Sequence, residues 1–260
     1  MKQILIIILL GAFHLCANSQ APNPKDIEVG IVEHLGDTIP LDLHFQNADN
    51  DTVTLGSIID KPTVLSFVYF DCPGLCSPLL SGVSDVVGKM DMKLGEEYQV
   101  VTISFNTKDT PEKAKTKKKN FVQNISQDNR EAWVYLTGEQ ENILAITEAV
   151  GFKYKPQGLD FAHPSAIILV SPEGKITRYL YGINFLPFDL KMAVIEAQDG
   201  IARPTINKIL EYCFAYDPAS KGYSLQITRI VGGFMLGIIL IVLTILFIKG
   251  RRRNNTAKQS

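Results

Sequence analysis

Apolar residues fall along this chain in two rhythms, one of strands and one of helices. The most hydrophobic internal run is Val64-Leu65-Ser66-Phe67-Val68-Tyr69-Phe70. It is nearly continuous and rich in β-branched and aromatic residues, as a strand buried on both faces requires. Ahead of it, Ile39 to Phe45 alternates apolar and polar positions, and Val53-Thr54-Leu55 follows the turn-forming Asn47-Ala48-Asp49-Asn50-Asp51. Behind it, Leu79, Leu80, Val83, Val86, Val87 and Met90 recur at helical spacing. Tyr98 to Phe105 then reads as a strand, and Thr110-Pro111-Glu112 opens a helix with proline in its first turn. Trp133 to Leu136 is a third strand, followed by a helix through Ile143, Ile146 and Val150 that stops at Gly151. Ala166 to Val170 and Lys175 to Tyr181 are joined by the turn Ser171-Pro172-Glu173-Gly174, and a last helix spans Pro187 to Gln198 before Gly200. Strands alternating with helices and closing on a hairpin predict an α/β domain with a central mixed sheet over residues 38–200.

The two ends follow neither rhythm. Met1-Lys2 precedes the apolar run Ile4 to Leu10 and then Ala17-Asn18-Ser19. A short basic start, a brief apolar stretch and small residues before a cleavage point describe a secretory signal peptide. The run is short for a membrane span of about 20 residues. Residues 1–19 are therefore expected to be removed, carrying Cys16 with them, and the polar, proline-containing residues 20–37 read as an arm. At the other end, Ile230 to Ile248 carries no charged residue over 19 positions. A helix of that length, at about 1.5 Å per residue, matches a hydrocarbon core of about 30 Å. Lys249, Arg251, Arg252 and Arg253 follow directly, and such a cluster stays on the cytoplasmic side. The expected order after the domain is a juxtamembrane linker at 201–228, a transmembrane helix at 229–248 and a cytoplasmic tail at 249–260. Residues 20–226 would then lie on the exported side of the cell membrane in a single-pass protein.

Composition sets limits on function. With 46% hydrophobic and 20% charged residues among 260, and a formal net charge of −1, the chain can bury a full core. It offers no broadly basic face for nucleic acid, no Gly-rich phosphate loop and no internal repeat. Lys113, Lys115, Lys117, Lys118 and Lys119 concentrate charge on one helix. That face reads as solvated, with docking to an acidic partner as the alternative.

Candidate chemistry lies where the strongest strand ends. The loop there reads Asp71-Cys72-Pro73-Gly74-Leu75-Cys76, and the second cysteine opens the following helix. Two thiols four residues apart can approach each other or share one metal ion. The partial positive charge of the helix N-terminus favours thiolate, the form that attacks disulfides and ligates soft metals. In an exported compartment a structural disulfide is the plainer alternative, although closing so short a loop stabilises little. Ala162-His163-Pro164 lies just before the strand Ala166 to Val170. The element order is thioredoxin-like, and in that order the loop ahead of this strand faces the cysteine loop. Two thiolates and one imidazole suit copper. Zinc accepts the same atoms, but its structural sites are closed by four protein ligands, and no fourth is evident. Cys213 falls outside the domain; it reads as a small buried apolar residue or as an odd thiol open to pairing.

The Cys72-Pro73-x-x-Cys76 loop, Ile103-Ser104 leading to Asp109-Thr110-Pro111, and His163 ahead of Ser171-Pro172-Glu173-Gly174 resemble the Sco/SenC family. The resemblance covers residues 38 to 200. It implies a thioredoxin fold and copper, as Cu(I) or Cu(II), held by Cys72, Cys76 and His163. It also implies a role in assembling the copper A centre of cytochrome c oxidase, with the copper-containing subunit and other copper carriers as partners. Some members are thought to act as thiol-disulfide reductases on that centre, which would make Cys72 and Cys76 a catalytic redox pair. The chain differs from the family pattern in its C-terminal rather than N-terminal anchor, in Asn106-Thr107-Lys108 ahead of Asp109, and in Pro164 after the histidine. The reading is a membrane-tethered copper metallochaperone. Its rival is an exported thiol-disulfide oxidoreductase with incidental copper binding, although simple enzymes of that kind use Cys-x2-Cys and need no histidine.

Overall fold

The computed structural model describes residues 28–203 apart from Leu159, the strands Phe214–Asp217 and Gly222–Leu225, and the helical positions Met235, Ile239, Val242 and Leu243. The expected signal peptide at 1–19, Cys16, Cys213 and the rest of the expected span at 229–248 lie outside the described residues. Among the described residues, no helix is long and apolar enough to cross a membrane. The chain divides into two units, residues 1–203 and 204–260. In the second, Phe214–Asp217 pairs antiparallel with Gly222–Leu225.

The first half of unit one runs β1 (Gly30–Ile31), β2 (His44–Asn47), β3 (Thr52–Thr54), α1 (Leu55–Ile58), β4 (Thr63–Val68), α2 (Cys76–Lys89) and β5 (Gln99–Ser104). It continues through α3 (Pro111–Phe121), β6 (Trp133–Thr137), α4 (Gln140–Ala149), β7 (Phe152–Lys153), β8 (Lys155–Gln157) and β9 (Asp160–Ala162). Last come β10 (Ala166–Val170), β11 (Ile176–Tyr181) and α5 (Pro187–Gln198). Seven strands form one mixed sheet in the order β11-β10-β4-β5-β6-β2-β3. β4, β5 and β6 are mutually parallel, joined by helical crossovers, while β10 runs antiparallel to both β4 and β11. This is the thioredoxin-like α/β fold with a central mixed sheet that the hydrophobic pattern predicts.

Burial explains the pattern. Every residue of β4 and β5 is buried, so these strands read as continuous apolar runs rather than alternations. The hydroxyls that do enter are satisfied. Ser66 and Thr102 share a 2.8 Å hydrogen bond, and Trp133 Nε1 donates to Thr102 at 2.9 Å. One face of α2, through Leu79, Leu80, Val83, Val86 and Val87, covers the sheet.

Two expectations from local pattern are corrected. Ile39 to Phe45 is not one strand. Pro40 has no N–H to give to a ladder, so only a bridge from Thr38 to Lys175 forms there, and β2 starts at His44. Ile39 and Phe45 are nevertheless both buried. The arm 20–37 is also not wholly irregular, since β1 pairs antiparallel with β7, a partner remote in sequence.

The helix α2 meets the loop after β11 at Gly82. A Cβ there would lie 1.9 Å from the Ile183 carbonyl oxygen, a backbone atom that cannot rotate away. Gly82→Ala is therefore expected to destabilise the protein by about 3 kcal/mol, the upper range of overpacking costs. Gly88→Ala in the same helix meets only Asn124 O at 3.5 Å. It should stabilise by about 0.5–1 kcal/mol through the lost glycine entropy. Denaturant unfolding midpoints of the two variants check both signs.

Candidate metal centre

The end of β4 delivers the cysteines. Tyr69 and Phe70 carry the strand's line onward while remaining buried, and the chain then turns, with Cys72 N–H donating to Tyr69 O at 3.3 Å. The N-cap of α2 is Leu75, whose side chain can accept no hydrogen bond. The Cys72 sulfur takes that place. It accepts from Gly74 N–H at 3.4 Å and from Cys76 N–H at 3.5 Å, the latter an amide that the helix start leaves orphaned. Cys76 lies behind it, fully buried, and its sulfur accepts from Tyr69 N–H at 3.4 Å.

The third candidate arrives along β10. Its antiparallel register with β4 pairs Ile167 with Ser66, and carried four residues back it brings His163 level with the chain just past β4. His163 Nε2 lies 3.6 Å from Cys76 Sγ. Its Nδ1 lies 2.8 Å from Pro164 O; a carbonyl only accepts, so Nδ1 donates there and Nε2 is the ring nitrogen that faces the sulfurs. No peptide bond among the described residues is cis, the His163-Pro164 bond included. Cys72, Cys76 and His163 thus converge, their ligand atoms all within 4.8 Å of one another. Behind them stands an aromatic wall. The His163 ring lies 5.4 Å from Phe105 and 5.9 Å from Tyr69, and Phe152, Tyr154 and Phe161 continue the wall. On the open side, Cys72 is half-buried and Pro73, Gly74 and Leu75 are exposed.

The two thiols differ sharply in acidity. The Cys72 thiol is held down at about 4, chiefly by the hydrogen bond from the Cys76 thiol, with the Cys76 and Gly74 amides and His163 assisting against burial. The Cys76 thiol is pushed well up by the same contact with Cys72 and by burial. The pair therefore holds one proton, on Cys76, and one negative charge, on Cys72. The helix N-terminus acts as expected, but on the cysteine that precedes it, because the amide of its first residue, Cys76, and that of Gly74 just ahead of it both donate to Cys72.

The basic helix α3 mostly serves this loop and its own neighbours. Asp109 Oδ2 accepts from Phe70 N–H at 2.7 Å and from the Ser104 hydroxyl at 2.6 Å. Lys113 pairs with Asp71 and lies 3.6 Å from Asp109 Oδ1. Lys117 Nζ donates to Phe70 O at 2.8 Å and to Ser77 Oγ at 3.3 Å. Lys115 pairs with Asp49 and Lys118 with Glu131. Four of the five lysines thus have partners within the chain, which favours the solvated-face reading over a docking face. Residue patterns marked Asp109 as part of a motif but assigned no role to Asp109, Lys117 or Tyr69. The one sequence clue was an acidic residue directly ahead of the Thr110 helix cap.

The donor set fits a metal ion. Metal–sulfur bonds of about 2.3 Å and metal–nitrogen bonds of about 2.0 Å place donors on one ion at most about 4.6 Å apart. Three donors around one ion stand nearer about 4 Å apart, so the observed donors, within 4.8 Å of one another, would close by up to just under an ångström on binding. Two sulfurs and an imidazole suit soft and borderline metals.

Residues 36–185, which include all three donors, match the SCO1/SenC family. The chain belongs to the SCO1/SenC family. Among SCO1/SenC relatives, the SCO1 protein homolog of Bacillus subtilis (strain 168) is 29% identical over 191 residues, covering 71% of this chain and 88% of the relative. The solved structure of BsSco, in which a disulfide switch has been identified, belongs to the Sco family of cytochrome c oxidase assembly proteins. It matches at 25% identity and a TM-score of 0.50 over 65% of this chain and 96% of its own. Arabidopsis thaliana ScoI, solved with copper bound, shares the fold at 22% identity and a TM-score of 0.51 over 63% of this chain and 97% of its own.

The depressed Cys72 thiol has a kinetic signature. Alkylation follows the thiolate, so for the reduced, metal-free protein the rate at Cys72 should be half-maximal near pH 4 and flat from pH 6 to 8. An ordinary thiol of pKa about 8.5 would still be climbing there. Mass spectrometry of iodoacetamide-labelled peptides should show Cys72 modified ahead of Cys76. A rate that rises through pH 8 contradicts the shared-proton arrangement.

Proposed function

We propose that this chain is an exported, membrane-tethered metallochaperone. It carries copper at Cys72, Cys76 and His163 and delivers it to the copper A centre of cytochrome c oxidase. One observation carries the reading: two sulfurs and an imidazole nitrogen within 4.8 Å of one another, in a SCO1/SenC chain. Copper is the cargo. Two thiolates hold Cu(I), and the imidazole adds the nitrogen that Cu(II) favours. Loading displaces the proton on Cys76, so uptake releases acid. Cys76 and the aromatic wall form the buried side of the site, while Cys72 sits at an exposed rim where a ligand from an acceptor can reach it. The tether rests on the uncharged run Ile230 to Ile248 and the basic cluster Lys249 to Arg253, and export rests on residues 1–19.

A second reading, a thiol-disulfide oxidoreductase, is favoured by the acidity of Cys72. A thiolate beside a protonated thiol is poised to attack a disulfide and then resolve it. The imidazole separates the two readings. His163→Ala should still cycle between dithiol and disulfide, because that chemistry needs only sulfur. It should lose Cu(II) affinity by more than about 100-fold, exceeding the effect of outer-shell changes, and lose the thiolate-to-copper absorption. Cu(I) should be weakened less. Cells carrying His163→Ala should hold normal levels of the protein yet lack copper in their oxidase. Normal oxidase activity in that strain, with loss in Cys72→Ser, would establish the reductase instead.

The tether has its own test. A reporter fused after Ser260 should be active only in the cytoplasm; activity on the exported side at that end would reverse the orientation.

A further inference from the structure

His163 hangs between two elements of unequal strength. On one side is β10, locked into the seven-stranded sheet. On the other is β9, which pairs only with β8 in a two-stranded ribbon of three-residue strands outside that sheet. Such a ribbon is marginal alone, so the approach of His163 to the sulfurs depends on what fastens the ribbon to the body of the domain. Its described fastenings are few. Lys155 pairs with Glu28 at an exposed position, and Phe161 packs against Tyr69, Phe105 and Tyr154. The Tyr69 hydroxyl also reaches across from the cysteine segment, where it meets the Phe161 backbone and Asp160. The Tyr69 hydroxyl donates to Asp160 Oδ1 at 3.3 Å.

The placement of that bond is the informative feature. Tyr69 lies three residues before Cys72, and Asp160 lies three residues before His163. Tyr69 also touches all three donors, its hydroxyl meeting the Cys72 sulfur. Its N–H reaches Cys76 Sγ at 3.4 Å, and its ring stands edge-on to the His163 ring, 5.9 Å away at 87°. The rest of the aromatic core here, Phe67, Phe70, Phe105, Phe152 and Phe161, includes several rings without a hydroxyl, so packing alone does not require one on Tyr69.

We propose that the Tyr69–Asp160 hydrogen bond is a latch that fixes His163 against the two sulfurs and so sets the preference of the site for Cu(II) over Cu(I). The inference rests on the copper reading above. Tyr69 and Asp160 are positioning residues, since neither ligates the ion. Cu(I) is satisfied by two thiolates, so a loosened imidazole registers mainly on the oxidation state that favours nitrogen.

The test uses the full-length reduced protein, titrated with Cu(I) and separately with Cu(II) against competing chelators. Tyr69→Phe keeps the ring and deletes the hydroxyl with its contacts to Asp160, Phe161 and Cys72; Asp160→Ala deletes the Asp160 acceptor alone; Asp160→Asn keeps an acceptor oxygen. Tyr69→Phe and Asp160→Ala should each lower Cu(II) affinity by about 3- to 10-fold, the scale of one net hydrogen bond. Cu(I) affinity should stay within about 2-fold, and Asp160→Asn should retain the wild-type Cu(II) value. Equal losses for both oxidation states would mark a general loss of structure and overturn the latch, as would wild-type Cu(II) affinity in Tyr69→Phe. The His163→Ala control separates the two levels. If it binds Cu(II) as the wild type does, the copper-ligand reading falls and the latch with it. If it loses Cu(II) while Tyr69→Phe does not, only the latch falls.

Discussion

The Phe70 peptide is gripped from both sides: its N–H donates to the buried Asp109 carboxylate, and its carbonyl accepts from Lys117 Nζ. Burying a carboxylate is costly unless hydrogen bonds and a counter-charge meet it, and Asp109 has Ser104, Phe70 and the nearby Lys113 for that purpose. Both grips come from one stretch of chain, Asp109 and the middle of the helix α3 that follows it. The loop that presents Cys72 and Cys76 is therefore held by α3 before any metal arrives. A site that keeps its donors close together spends less binding energy on ordering them. The Lys113–Asp71 pair extends the same bracket to the residue next to Cys72.

Set on that bracket, the three donors form a gradient of mobility and access. Cys76 is buried at the first turn of a helix whose apolar face covers the central sheet, and it moves only if that helix does. Cys72 is half-buried on a loop whose outer residues are exposed. His163 stands between a central strand and a small ribbon, against a wall of aromatic rings. Such a gradient suits cargo transfer, since a metal handed on by ligand exchange must be released from one accessible donor at a time while a buried donor retains it.

Charge is distributed along the same gradient. The donor at the rim is the thiolate and the donor in the interior keeps the proton, because the Cys76 thiol and the Cys76 and Gly74 amides all meet Cys72 while Cys76 lies in the apolar interior. Metal loading and disulfide chemistry begin from this one protonation state, with a nucleophilic sulfur outside and a protonated one behind it. The two functions proposed for the site therefore share their first requirement and part company only at the imidazole.

Much of this was legible in the residues themselves. The continuous run at Val64 to Phe70, the helical spacing from Leu79 to Met90 and the turn at Ser171 to Gly174 specify their elements because burial, periodicity and turn chemistry act over short stretches. Pro187 and Gly200 bracket the last helix for the same reason, and the Cys72-x3-Cys76 loop with a distant histidine is a strong enough pattern to pick out the three side chains that the fold brings together. Other features were settled only by tertiary contacts. Pro40 broke an alternation that looked like a strand, and β1 found its partner more than a hundred residues away. The ribbon β8–β9 has no apolar pattern of its own, and the roles of Asp109, Lys117 and Tyr69 exist only through groups remote in sequence. The assignment of thiolate to Cys72 belongs to this second class. Local sequence determines which side chains are near a helix start, but the direction in which its amides point, and which sulfur lies in the apolar interior, are decided by how α2 packs on the sheet.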